Sequence, residues 1–163
     1  MAPGRQRSAR DRADGGKHGW LAIDAYVGIH ESALERHSFV LEDRTAFTRS
    51  TEEGREFVSL AGQVTCRGGI VIEVEKVLAV RLNARNETQV RGLSYRYHAP
   101  APGRGNLLRY DNAHHVDEFD RHEYDFVSHE QRPIQILGRE ELPTLIEIVS
   151  ELDEMAGHLG LRD

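Results

Sequence analysis

The chain has 163 residues, a formal charge of −6, one cysteine and 39% hydrophobic residues, the size and content of one domain with a real core. Its negative balance excludes nucleic-acid binding through an overall basic surface, so any contact with RNA or DNA has to come from a local patch. The lone Cys66 excludes an internal disulfide and a cysteine-built zinc site and suits a reducing cytoplasm, and no apolar run is long enough to span a bilayer. Residues 1–19 hold five basic and two acidic residues and almost nothing apolar, which reads as a disordered basic tail ahead of a single domain over 20–163. No apolar segment follows the early arginines, so they do not mark a secretory signal and the chain reads as cytoplasmic.

From Trp20 the chain turns apolar. Ile23, Tyr26, Val27 and Leu34 predict a short helix over Asp24 to Arg36, interrupted by Gly28. A strand is predicted at Ser38 to Glu42, and the polar run Asp43 to Glu56 reads as a connection or frayed hairpin. His30 and His37, without partners nearby in sequence, read as surface or helix-end residues. In Phe57 to Cys66, Val58, Leu60 and Val64 share one face and Ser59, Gln63 and Thr65 the other. Arg67, Gly68 and Gly69 supply a turn, and Ile70 to Leu82 returns with Ile72, Val74, Leu78, Val80 and Leu82 on the dry side and Glu73, Glu75 and Arg81 opposite. Lys76 breaks that pattern and is assigned an edge position.

Gln89 to His98 alternates again, with Leu93, Tyr95 and Tyr97 toward the core and Ser94, Arg96 and His98 away. The loop APAPGRGN reverses the chain. Leu107 to Asp111 comes back with Leu108 and Tyr110 inward and Arg109 and Asp111 outward. A last strand is predicted at Glu123 to Val127, then an extended link over Gln131 to Leu137. An amphipathic helix from Pro143 to His158 carries Leu142, Leu145, Ile146, Val149, Leu152, Ala156 and Leu159 at helical spacing. That stripe covers the dry face of the sheet or, alternatively, docks a partner helix. The predicted fold is α+β: an antiparallel, meander-like sheet of about five or six strands, with the C-terminal helix packed on one face and a short N-terminal helix. An open edge strand beside a polar face also offers a homodimer surface.

Five of the nine histidines fall between Tyr97 and Glu130, and imidazole is the usual acid, base and metal ligand near neutral pH. A divalent metal at His114, His115 and His122, with Asp111 or Asp120, is one reading, although the spacing matches no recurrent zinc motif. The other needs no metal. For RNA cleavage one histidine removes the 2′-hydroxyl proton, a second acid protonates the leaving oxygen, and arginine steadies the phosphate charge. His98, His114 and His122 with Arg96 and Arg109 supply those roles, and Asp111 and Asp120 orient the imidazoles. For each histidine taken alone, packing over the open face of the sheet, with Asp111 and Asn112 capping a turn, is the competing structural reading.

The order of YRYHAPAPGRGNLLRYDNAHHVDEFDRHEYDF, a YRYH strand and a glycine-containing turn ahead of RYDNAHH and a further histidine, resembles the TumE-type toxins of toxin–antitoxin modules. The likeness runs from about Leu60 to Met155 and is most specific at Tyr95 to His98 and Arg109 to His115. Where that family often has several histidines in a second cluster, this chain has His122 alone. The resemblance implies a small prokaryotic toxin and an antitoxin partner encoded beside it, commonly a helix-turn-helix DNA-binding protein. Two functions of different class follow: a toxin acting as a metal-independent ribonuclease, or a non-catalytic module that docks a partner protein through the same polar face.

Overall fold

Apolar and polar residues alternate with a spacing of two through most of the chain, and this pattern can bury one side of a pleated sheet. The computed structural model, which describes residues 18–101, 105–112, 118–125 and 128–159, places them in a ten-stranded antiparallel sheet with two α-helices. The elements are β1 (Leu21–Ala22), α1 (Ile23–Arg36), β2 (Val40–Asp43), β3 (Ala46–Glu52), β4 (Arg55–Cys66), β5 (Val71–Leu82), β6 (Thr88–Ala101), β7 (Gly105–Asp111), β8 (Glu118–Asp125), β9 (Glu130–Gln131), β10 (Gln135–Gly138) and α2 (Leu145–Leu159). Strands β4 to β8 form a meander of successive neighbours. The class is the predicted one, but ten strands replace five or six.

The excess comes from segments whose composition reads as connection. Asp43 to Glu56 is an ordered corner and hairpin: β3 pairs with β4 from Ala46↔Ala61 to Glu52↔Arg55, turning at Glu53 and Gly54 with φ of 50° and 75°. Between β2 and β3 the backbone crosses over Gly62 so closely that a Cβ there would strike the Arg44 carbonyl. The link after Gln131 holds β10, which pairs with β8 at the sheet edge. Strand β8 starts at Glu118 rather than Glu123, so Phe119 is buried in the core and His122 stands mid-strand; Phe126 and Val127 lie outside the described residues. Ala99 and Ala101, assigned to a loop, extend β6 and are buried. Gly28 does not interrupt α1, because its position is exposed and open.

Helix α2 begins where Thr144 accepts the Ile148 N–H at 3.0 Å through its carbonyl and the Glu147 N–H at 3.4 Å through its hydroxyl, two of the orphan donors of a helix start. Leu145, Ile148, Val149, Leu152 and Ala156 bury its stripe against Leu60, Val64, Ile72, Val74, Tyr97 and Leu108 of the sheet. The predicted stripe therefore closes the dry face. Helix α1 adds Leu34 to this core, and Ile23 and Tyr26 pack on a smaller cluster of Val58, Leu78 and Val90. Cys66 is buried here, and burial first, then the charge of Asp153, pushes its thiol up to about 12, which leaves it unreactive. Among the described residues no helix is long and apolar enough to cross a membrane.

One inward assignment, Leu93, and one edge assignment, Lys76, both fail. Strand β6 carries a β-bulge, with Val77 opposite Ser94 but Leu78 opposite Gly92. The extra residue is Leu93, which turns out to the surface, while Val90 and Gly92 on one side of it and Tyr95 and Tyr97 on the other all point inward. A bulge shifts the alternation by one residue, and composition does not announce it. Lys76 is not at an edge either. It lies on β5, between β4 and β6, directly opposite Tyr95, on the inward side.

Candidate functional site

The registers of β5 to β8 assemble two rows of polar residues on the side away from the helices. One row runs Glu75, Arg96, Asp111, Asp120, and the next runs Glu73, His98, Arg109, His122, each residue directly opposite the next. Directly opposed strands stand about 5 Å apart, so the two imidazoles flank Arg109 across roughly 10 Å. Arg96, His98, Arg109 and Asp111, predicted to share the outward side, do so, and His122 joins them from β8. His114 and His115 lie outside the described residues.

Along each row exposure changes sharply. The Glu75 side chain is 66% exposed and that of Asp111 5%, so Asp111, predicted as an open outward carboxylate, is in fact enclosed. Arg109 accounts for this in part, since its Nε donates to Asp111 Oδ2 at 2.7 Å. A buried carboxylate is tolerable only with such pairing. At the open end, Arg96 donates to Glu75 at 3.4 Å, a long contact between exposed groups and therefore a weak one.

His98 sits at the boundary between the two regimes. Its Nδ1 lies 3.3 Å from Glu73 Oε2, whereas its Nε2 is enclosed and has no hydrogen-bond partner among the described residues. A carboxylate beside Nδ1 selects the tautomer protonated there and leaves Nε2 as a free acceptor. The carboxylates actually aligned with this site are thus Glu73 and Glu75 rather than Asp111 and Asp120 alone. Their outward position on β5 was legible, but their partner strand was not.

The remaining RYDN residues have structural work. The Asn112 side chain accepts the Tyr95 N–H at 2.9 Å and donates to the Leu93 carbonyl at 2.8 Å, pinning the β6 bulge. Tyr110 faces the other side, where its hydroxyl donates to Glu151 of α2 at 2.8 Å and accepts from Arg121 at 2.8 Å. Arg121 also pairs with Glu151 and, at 2.9 Å, with Glu123. Burial and the Glu151 charge push the Tyr110 hydroxyl well above its ordinary range. Asn112 thus bridges a bulge rather than capping a simple turn.

Among the described residues no three His, Cys, Asp or Glu side chains are placed to hold a metal ion; of the proposed ligands His114, His115 and His122, only the last is described. A family model described as Toxin TumE matches residues 30–153. No curated protein and no solved structure matches the chain.

Proposed function

The chain belongs to the TumE toxin family, and from that premise we propose that it is the toxin of a toxin–antitoxin pair and cleaves RNA without a metal at the His98–Arg109–His122 row. The observation that carries this reading is the cross-strand row itself, two imidazoles flanking Arg109 with His98 Nδ1 beside the Glu73 carboxylate. That is the arrangement of a general base whose tautomer is fixed in advance. His98, its imidazolium steadied by Glu73, takes the proton from the ribose 2′-hydroxyl, and the 2′-oxygen attacks the adjacent phosphorus. Arg109, between the two imidazoles, donates to the non-bridging oxygens as their charge grows. His122, or His114, gives a proton to the departing 5′-oxygen, leaving a 2′,3′-cyclic phosphate and a free 5′-hydroxyl.

The acidic groups along the rows oppose an incoming phosphate, and the pairing tells where it enters. The weak Arg96–Glu75 contact opens readily, so the backbone of RNA approaches from the β5 side, with Arg96 as the first cation it meets. The cognate antitoxin, of the helix-turn-helix DNA-binding class that the sequence likeness implies, neutralises the toxin by covering this approach.

The test is purified full-length protein with total RNA in excess EDTA. Wild type is expected to yield fragments ending in cyclic phosphate, His98→Ala to lose about 10²–10⁴-fold in rate, and Glu73→Gln to lose less while shifting the pH optimum. Intact RNA with the wild-type protein, together with loss of antitoxin binding in His98→Ala, would move the assignment to the non-catalytic docking module.

A further inference from the structure

The side chain that the polar rows leave unused is Lys76. It stands on the inward side of β5 between Val74 and Leu78, both buried. Its Nζ lies 4.8 Å from the ring centre of Tyr26 on α1 and 4.9 Å from that of Tyr95 on β6. Two aromatic faces recover part of the cost of removing an ammonium from water, but among the described residues it has neither an ion pair nor a hydrogen bond. The amine borders a chamber of about 130 Å³ under α1, walled by Tyr26, Ile29, Ala33, Tyr95 and Leu145. The chamber exists because of the β6 bulge. A Cβ at Gly92 would strike the Tyr95 hydroxyl, so the glycine lets that ring lie back as a wall, and Asn112 holds the bulge from the far strand.

We propose that this chamber binds a small apolar monocarboxylate, with the Lys76 ammonium as its counter-charge and the two tyrosine rings gripping its apolar body. None of the described acidic residues reaches this amine, and a half-buried ammonium beside two aromatic rings on the wall of an apolar chamber leaves its charge for a ligand to answer. The two histidines on the wall are engaged elsewhere: His30 with Thr45 Oγ1 at 2.9 Å and His18 with the Leu142 carbonyl at 2.7 Å. His30 is thereby not the surface histidine that its helix suggested. Burial alone brings the Lys76 amine down to about 7, so at neutral pH the empty site is only partly charged, and binding a carboxylate draws a proton in. The other titratable groups around it are Tyr26 and His30 on α1, Tyr95 on β6, His18 ahead of β1, and Asp43, 3.7 Å beyond His30.

Benzoate is a suitable probe, titrated into the full chain by calorimetry and followed by amide NMR shifts. Wild type is expected to bind it, with affinity falling about 100-fold from about pH 6 to about pH 9 as the ammonium deprotonates. Neutral benzamide should bind more weakly and without that pH dependence. Lys76→Met, of similar shape and apolar, should lose at least about tenfold in benzoate affinity, a drop of the size that one lost charge-assisted contact gives. Ala33→Leu fills the chamber with the lysine intact and should block binding. His98→Ala should bind benzoate as wild type does, which separates this site from the RNA reading. No benzoate binding by wild type, or equal binding by Lys76→Met, overturns the proposal.

Discussion

The sheet presents opposite chemistries on its two sides. Toward the helices lie Leu60, Val64, Ile72, Val74, Leu108 and Phe119, all at most 1% exposed and closed over by Leu34, Ile148, Val149 and Leu152. Away from them, the same strands hold Glu73, Glu75, Arg96, His98, Arg109, Asp111 and His122 in cross-strand rows. Burial of the first set is non-directional and tolerates changes of partner, whereas the second works only if the register is right to one residue. Stability and chemistry are therefore carried by alternate residues of the same strands, and substitutions one residue apart should separate them. Two places depart from this division: the Tyr110–Arg121–Glu151 network and Lys76, both polar and both on the helix side.

The strongest way to break the comparison is a crossed pair. His98→Ala is expected to lower RNA cleavage by about 10²–10⁴-fold while changing unfolding free energy by less than about 1 kcal/mol. Leu152→Ala should instead cost about 3–4 kcal/mol in urea unfolding and leave the rate per folded molecule unchanged. Similar losses on both axes in both variants would show that the two faces are not separable.

Glu151→Ala tests the first exception. It takes one carboxylate from the Arg121 guanidinium, which keeps Glu123, and the acceptor from the Tyr110 hydroxyl, and is expected to destabilise by about 1–3 kcal/mol, with Glu151→Gln recovering part of that. Lys76→Met tests the second and should stabilise by about 2 kcal/mol at neutral pH. The unfolded chain keeps that proton up to 10.5, whereas the folded chain gives it up near 7. The penalty is thus full below about pH 7 and fades as the pH climbs toward 10.5, so wild-type stability should rise over that window and the variant should lose the rise. Asn112→Ala, which removes both bridges across the bulge, should cost about 1–2 kcal/mol by thermal unfolding and broaden the Leu93 and Tyr95 amide signals. Smallest is Glu75→Gln, below about 0.5 kcal/mol in stability, but with tighter RNA binding at low salt because Arg96 is released.

Much of the fold was legible wherever the period of two or of 3.6 ran unbroken. The hairpin of β4 and β5, the meander through β7 and the stripe of α2 follow from that pattern alone, and so did the shared outward side of Arg96, His98, Arg109 and Asp111. Legibility failed where the signal is short or non-local. Strand β10 is four residues long and exists because β8 offers it an edge. Strand β3 is almost wholly exposed and so shows no alternation to read. Leu93 and Lys76 were misplaced because a bulge and a chamber are properties of several strands together.

Composition and periodicity alone determined that this chain builds an antiparallel sheet with one dry side under a helix, because apolar burial depends only on which residues alternate. Only the tertiary structure decided that Glu73 stands beside His98, that Arg109 lies between two imidazoles, and that no described carboxylate reaches Lys76. These depend on cross-strand register and on a bulge held by Asn112 from a neighbouring strand, and contacts between residues distant in sequence are set by the packing of the whole sheet.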